Sequence, residues 1–172
     1  MPGSGWRARA ADLSQSNPAC VVKHYSMSAL TVTGQAGRVF TFGAGIPVVE
    51  SDAHIFVSPG QARRAFATES TAGFARCIGT DLVREVTMPG VRAVLEKIEL
   101  VSMAGLTAAA FGFRIVVRLE SPQGNVPLTA TLVGLRRGPA LGGLTVVTAG
   151  APWPQAAVRS LARKMASRMP GG

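Results

Sequence analysis

The chain has 172 residues, of which 47% are hydrophobic and 16% are charged, a composition too apolar for a disordered protein and long enough for one domain with a single core. Its 18 basic and 9 acidic residues give a net charge of +9, which favours acidic partners without specifying one. No apolar run approaches the ~20 residues that cross a bilayer, so we expect no membrane span within this sequence.

The first half of the chain predicts a leader, two strands and a broken helical region. Residues 1–19 are rich in Gly, Ser and Pro, which predicts a flexible leader or tether ahead of a single domain over residues 20–172. Segments 30–42 and 47–57 have the β-branched and aromatic content of strands. Ser58, Pro59 and Gln61 then predict the start of a helical region that is broken near residues 69–73 and ends at about residue 86.

The second half changes to the period-two pattern of strands. Residues 111–119 alternate between apolar and arginine-bearing positions, and a turn at 122–125 leads to a return strand over 126–137. Segments 91–104 and 141–149 add two further strands, and Pro152 to Pro154 introduce a last helix with a basic outer side. The connections are too short for helical crossovers. The predicted fold is therefore α+β, a mostly antiparallel sheet of about six strands with flanking helices in the order ββαββββα.

The two cysteines, Cys20 and Cys77, are too far apart for a CxxC redox or zinc motif, and the only histidines are His24 and His54. We therefore expect no metal site and no cofactor. The cysteines form either a disulfide, which we favour and which is typical of exported proteins, or two buried thiols. A bridge would contribute roughly 4 kcal/mol in the chain-entropy model.

No common catalytic motif is present, including GxSxG, HExxH and the phosphate-binding loop. His54 follows Asp52 in a predicted strand, but a triad would need a serine from elsewhere in the fold, so we interpret His54 as a surface or hydrogen-bonded core residue. We predict that the chain is not an enzyme. The basic residues are dispersed and the strand aromatics belong to the core side, so we also predict no specific binding of nucleic acid.

One face of the predicted hairpin mixes cationic, hydroxyl and apolar side chains. These residues are Arg114, Val116, Arg118, Thr129, Thr131 and Val133. Such a surface suits an anionic or amphiphilic small molecule or lipid, and we predict that these six residues bind it. The alternative is a solvated sheet face without a ligand.

Residues 50–56, 58–66 and 150–163 resemble segments of exported actinobacterial proteins, which include lipoproteins and sensor-domain proteins. The resemblance spans about residues 18–168 and extends to the extracellular sensor domain of a mycobacterial receptor kinase. It implies an extracytoplasmic domain with an antiparallel sheet and flanking helices, and any membrane tether would lie upstream of this sequence. Those sensor domains carry two disulfides and a cleft, whereas this chain has one cysteine pair and no kinase.

These features together predict a non-catalytic extracytoplasmic binding or sensor-like domain for a small or lipid-like ligand of the cell envelope. Two alternatives remain open. One is a structural or protein-interaction module that uses the basic C-terminal helix, and the other is a hydrolase with an unrecognised site.

Overall fold

The computed structural model of the chain describes residues 5–13, 30–43, 45–106 and 109–170. The described part contains seven strands and three helices. In chain order they are β1 (Trp6–Ala10), β2 (Val32–Phe42), β3 (Val48–Phe56), α1 (Pro59–Glu69), α2 (Ala72–Val86), β4 (Arg92–Leu100), β5 (Ala109–Ser121), β6 (Gly124–Arg137), β7 (Ala140–Ala149) and α3 (Gln155–Arg168).

All of these strands join one sheet in the order β1-β2-β3-β7-β6-β5-β4, and every neighbouring pair is antiparallel. The last four strands form a meander, because each turns back beside the one before it. β3 pairs with β7 rather than with β4, so the first three strands and the last four meet in the middle of the sheet. The prediction of an α+β fold with an antiparallel sheet is confirmed.

The predicted count of about six strands and the order ββαββββα missed β1. Trp6–Ala10 lies in the segment predicted as a flexible leader, and in the structure it pairs with β2 along its whole length. The Trp6 ring packs against the rings of Phe42 and Trp153, at centroid distances of 5.5 and 5.8 Å. The alternation of Trp6 and Ala8 with arginines carried the strand signal, and the surrounding glycines and serines obscured it.

The helical region predicted after residue 58 is two helices, with the predicted break between them. Ser58 accepts a hydrogen bond from the Gln61 N–H and caps α1, and Thr71 accepts from the Phe74 N–H and caps α2. The break follows from these caps, because Thr71 has extended backbone geometry that ends one helix and starts the next. The first helix contacts mainly β3, β6 and β7, whereas the second contacts mainly β4 and β5.

Helices cover both faces of the sheet, which we call the front and back faces. The front face carries α1 and α2, and beneath α2 it presents Ile115, Val117, Leu128 and Ala130. The back face carries α3, and beneath that helix it presents Val133, Leu135, Leu144 and Val146. Successive residues of a strand point to opposite faces, so β6 and β7 contribute to both cores.

The packing of Trp6 predicts that β1 contributes to stability, which a flexible leader would not do. Trp6→Ala should lower the free energy of unfolding by about 1–3 kcal/mol, because it removes a half-buried aromatic side chain from the back-face core. Chemical denaturation measures this change. Arg7→Ala is the matched control, since Arg7 is exposed on the same strand. Equal stability of the two variants would contradict the placement of β1.

Candidate ligand-binding site

A cleft of about 920 Å³ lies between the front face of the sheet and the helices α1 and α2. Its floor is formed by β3, β5, β6 and β7, and its wall is formed mainly by α2. Leu13 and Leu30 also line it. Clefts that hold small organic ligands have volumes of about 300–1,000 Å³, so this one has the size of a ligand site.

The polar part of the cleft is a row of three residues on β3. Glu50, Asp52 and His54 are two residues apart, so the alternation of the strand points all three toward the front face. On the neighbouring strands Thr145 lies opposite Glu50, and Gln35 lies opposite His54. The middle of β3 is therefore polar on the side that faces the cleft.

Asp52 and His54 form a hydrogen-bonded pair within this row, which becomes an ion pair when the imidazole is protonated. Nε2 of His54 lies 3.2 Å from Oδ2 of Asp52, and both side chains are half-buried. The hydrogen bond to Asp52 raises the pKa of His54, and this effect outweighs burial, which lowers it. Gly143 on β7 makes room for the Asp52 carboxylate, because a Cβ at that position would clash with Oδ1 of Asp52.

Glu50 is half-buried beside this pair. Burial raises the pKa of Glu50, the charge of Asp52 raises it further, and Arg9 on β1 partly offsets both effects. Within the described ranges the Glu50 carboxyl group has no hydrogen bond and no ion pair. A partly desolvated carboxyl group without a hydrogen-bonding partner costs free energy, and a bound donor would offset that cost.

Helix α2 adds further acidic groups to the wall. Asp81 is 8% exposed, and its Oδ1 accepts from Nη1 of Arg84 at 2.8 Å. Glu85 lies on the next turn, and Glu69 at the end of α1 also lines the cleft and raises the pKa of His54. Five of the nine acidic residues of the chain therefore line this cleft.

The remaining lining is apolar. Residues from α2 face residues from the central strands across the cleft. They are Phe74, Ile78 and Leu82 from the helix and Phe111, Leu132, Leu141 and Val147 from the sheet. The cleft thus has a polar part along β3 and an apolar part along α2, β5 and β6.

The six residues predicted to bind a ligand lie together on the back face, on the far side of the sheet from this cleft. Within that group Arg114 lies opposite Thr131 and Val116 lies opposite Thr129 in the register of β5 and β6. Thr129 and Thr131 are each 4% exposed, and Val133 is in the core beneath α3. The alternation that defined this face is confirmed, and its role in ligand binding stays a prediction.

The two arginines of that group already have carboxylate partners. Arg114 is 2.9 Å from Glu99, and Arg118 is 3.3 Å from Glu96 and 3.0 Å from Glu120. The Nε atoms of both arginines are buried without a hydrogen-bonding partner among the described residues. The charge of these two arginines is therefore balanced inside the chain.

Sequence reasoning missed the cleft, although it considered Asp52 and His54. The available signal was that three successive front-facing positions of β3 are polar in a strand whose back-facing residues are mainly apolar or small. Sequence could not show that α2 brings Asp81 and Glu85 to the same space. That depends on how the helix crosses the sheet.

The cysteine prediction falls partly outside the described residues. Cys77 is half-buried on α2, and Cys20 lies outside the described ranges, so the bridge between them stays a prediction.

In the described part of the chain no three metal-ligating side chains form a cluster. No described helix has the length and apolar character that a membrane crossing requires. No protein-family model and no curated protein matches this sequence.

The Asp52–His54 pair predicts a measurable shift in the titration of the imidazole. In a His24→Gln background the pKa of His54 should lie above the ordinary value of 6.5, and Asp52→Asn should lower it by removing the hydrogen bond and the charge. An NMR titration of the imidazole signal measures both values. Glu120→Gln on the back face is the control and should leave the pKa unchanged.

The same pair also fixes the direction of a stability change with pH. Because the pKa of His54 is raised in the folded chain, its stabilising contribution is complete below the unfolded pKa and is lost as the pH rises through the folded pKa. The free energy of unfolding should therefore fall across that window by more in the parent than in Asp52→Asn. An identical pH profile in the two proteins would contradict the pairing.

Proposed function

We propose that the chain is a non-catalytic ligand-binding domain that holds a small amphiphilic molecule in the front-face cleft. The observation that carries this proposal is the cleft itself, which combines a ligand-sized volume of about 920 Å³ with one polar and one apolar part. Apolar side chains from both α2 and the sheet line the cleft, and their contact with water costs free energy that an apolar ligand would remove. An amphiphile uses both parts, because its apolar body replaces water against the helix and its head reaches β3.

The cleft supports the proposal better than the back face does. The arginines of the back face are paired with glutamates, and a ligand there would have to compete with those ion pairs. In the cleft, Glu50 has no hydrogen bond or ion pair with the described residues. A ligand that reaches Glu50 therefore gains a partner there without breaking an ion pair between described residues.

The lining favours binding over catalysis. The Asp52–His54 pair has the form of a general base with its orienting carboxylate, but hydrolysis through it needs a nucleophile or a positioned water. Among the described lining residues, Thr145 supplies the one hydroxyl group and there is no cysteine. The alternative is a hydrolase with an unrecognised site. Hydrolysis of any substrate in a panel of chromogenic esters and glycosides would support that alternative.

We place this binding domain in the cell envelope, outside the cytoplasm. Two considerations support the location, namely the expected disulfide between Cys20 and Cys77 and the resemblance to exported actinobacterial sensor and lipoprotein domains. A lipid-like ligand of the envelope fits the apolar part of the cleft.

The cleft predicts binding of a neutral apolar probe such as N-phenyl-1-naphthylamine, whose fluorescence rises in apolar surroundings. Ile78→Gln should weaken this binding on the order of tenfold, because Ile78 contributes apolar surface to the cleft wall. Val116→Gln is the matched control, since Val116 is equally half-buried but lies on the back face. A loss of binding in Val116→Gln and not in Ile78→Gln would move the site to the back face.

The location predicts a disulfide in the purified, unreduced chain. The intact mass should rise by two hydrogen atoms on reduction, and Cys77→Ser should abolish this change. Two titratable thiols in the unfolded, unreduced protein would instead indicate a reducing compartment and remove the support for export.

A second candidate function is a protein-interaction module that uses the outer side of α3. Arg163, Lys164 and Arg168 are exposed along this helix. In the described part of the chain none of these three side chains forms an ion pair with a carboxylate. Charge reversal of this side should abolish partner binding under this reading and leave probe binding in the cleft unchanged.

A further inference from the structure

The acidic residues of this basic chain are unevenly distributed. Five line the front-face cleft, although the net charge of the chain is +9. Three more lie on or near the back face and pair with basic side chains, and the ninth is Asp12. The five are Glu50, Asp52, Glu69, Asp81 and Glu85, and the three are Glu96, Glu99 and Glu120.

The two groups of carboxylates differ in the charged residues that surround them. On the back face Lys97 and Arg114 lower the pKa of Glu99, which is the usual effect of cationic partners on an acid. In the cleft, burial and the charge of Asp52 raise the pKa of Glu50. The cleft therefore brings carboxyl groups together, and in the described part of the chain Glu50 has no ion-pair partner.

The basic residues that line the cleft are already engaged. Nη1 of Arg84 lies 2.8 Å from Asp81, and His54 lies 3.2 Å from Asp52. Arg9 acts on Glu50 from β1, two strands away in the sheet, and does not form an ion pair with it. Among the described residues, therefore, no basic side chain forms an ion pair or a hydrogen bond with Glu50, and Arg9 acts on it only from a distance.

We propose that the ligand of the cleft is an organic cation, an apolar molecule that carries a protonated amine. Its ammonium group lies between Glu50 and Asp52, and its apolar body lies against Phe74, Ile78 and Leu132. This inference rests on the proposed function, because it assigns the chemistry of the ligand in the same cleft.

The geometry of β3 suits this head group. Residues two apart on a strand are about 7 Å apart, so one ammonium group between them can donate a hydrogen bond to each carboxylate. A third donor remains for the Thr145 hydroxyl, which lies opposite Glu50 on β7. A metal ion would use the carboxylates but gain nothing from the apolar wall, whereas an alkyl or aryl amine uses both parts of the cleft.

The test compares three probes that differ only in their head group, namely decylamine, decanol and decanoate at neutral pH. Binding to the whole chain is measured by calorimetry below the concentrations at which the probes aggregate. The amine should bind on the order of tenfold more tightly than the alcohol, and decanoate should bind most weakly. The chain as a whole is cationic, so nonspecific attraction would give the opposite order.

Substitutions in the cleft then locate the head group. Glu50→Gln and Asp52→Asn should each weaken decylamine binding on the order of tenfold and leave decanol binding unchanged. Glu96→Gln on the back face is the matched control and should change neither. Folding of the Glu50→Gln variant is checked by denaturation, and it should be no less stable than the parent at neutral pH, because burial disfavours the charged form of Glu50.

The outcomes separate this inference from the proposed function. If none of the three probes binds, the cleft is not a ligand site and both proposals fail. If decanol or decanoate binds as tightly as the amine, or if the carboxylate variants bind the amine normally, the binding function stands and the cationic ligand is excluded.

Discussion

The pairing of β3 with β7 is the constraint on which the rest of the structure depends. It joins strands that are almost a hundred residues apart, over a register that runs from Val48 opposite Val147 to Ile55 opposite Ala140. Without it the first three strands and the last four would be separate small sheets, neither of which is extensive enough to support both helical layers. The pairing also places Gly143 and Thr145 beside the polar row of β3. The same contact that completes the core therefore forms the floor of the cleft.

The two faces of the sheet differ in how their carboxylates are paired with basic side chains. On the back face guanidinium and carboxylate groups lie on adjacent strands and neutralise one another, as at Arg114 and Glu99. On the front face five carboxyl groups line the cleft, and the basic side chains among its described lining residues are those of Arg84 and His54. The paired charges of the back face are compatible with a stable fold. The half-buried Glu50 does not stabilise the fold by itself, because burial disfavours its charged form. Side chains that lower stability in this way are typical of functional sites.

Sequence reasoning predicted those elements whose signal is local. The alternation over residues 111–119 gave the hairpin of β5 and β6, and Ser58 with Pro59 gave the start of α1. The strand β1 was missed because five residues within a glycine- and serine-rich segment carry little local signal, and its strand character comes from pairing with β2. The cleft could be predicted only in part. The alternation of β3 puts Glu50, Asp52 and His54 on one face, but the crossing of α2 over that face is a tertiary property.

The two edges of the sheet have a consequence for how the molecule behaves in concentrated solution. An open antiparallel sheet exposes unpaired backbone groups at each end, and such edges can add strands from other copies. At one edge β1 is only five residues long and exposes Arg7 and Arg9, so approaching copies meet positive charge. At the other edge β4 has a register shift between Leu95 and Lys97, which interrupts the regular ladder. In the part of the chain that the structure describes, both edge strands therefore carry features that oppose strand-by-strand aggregation.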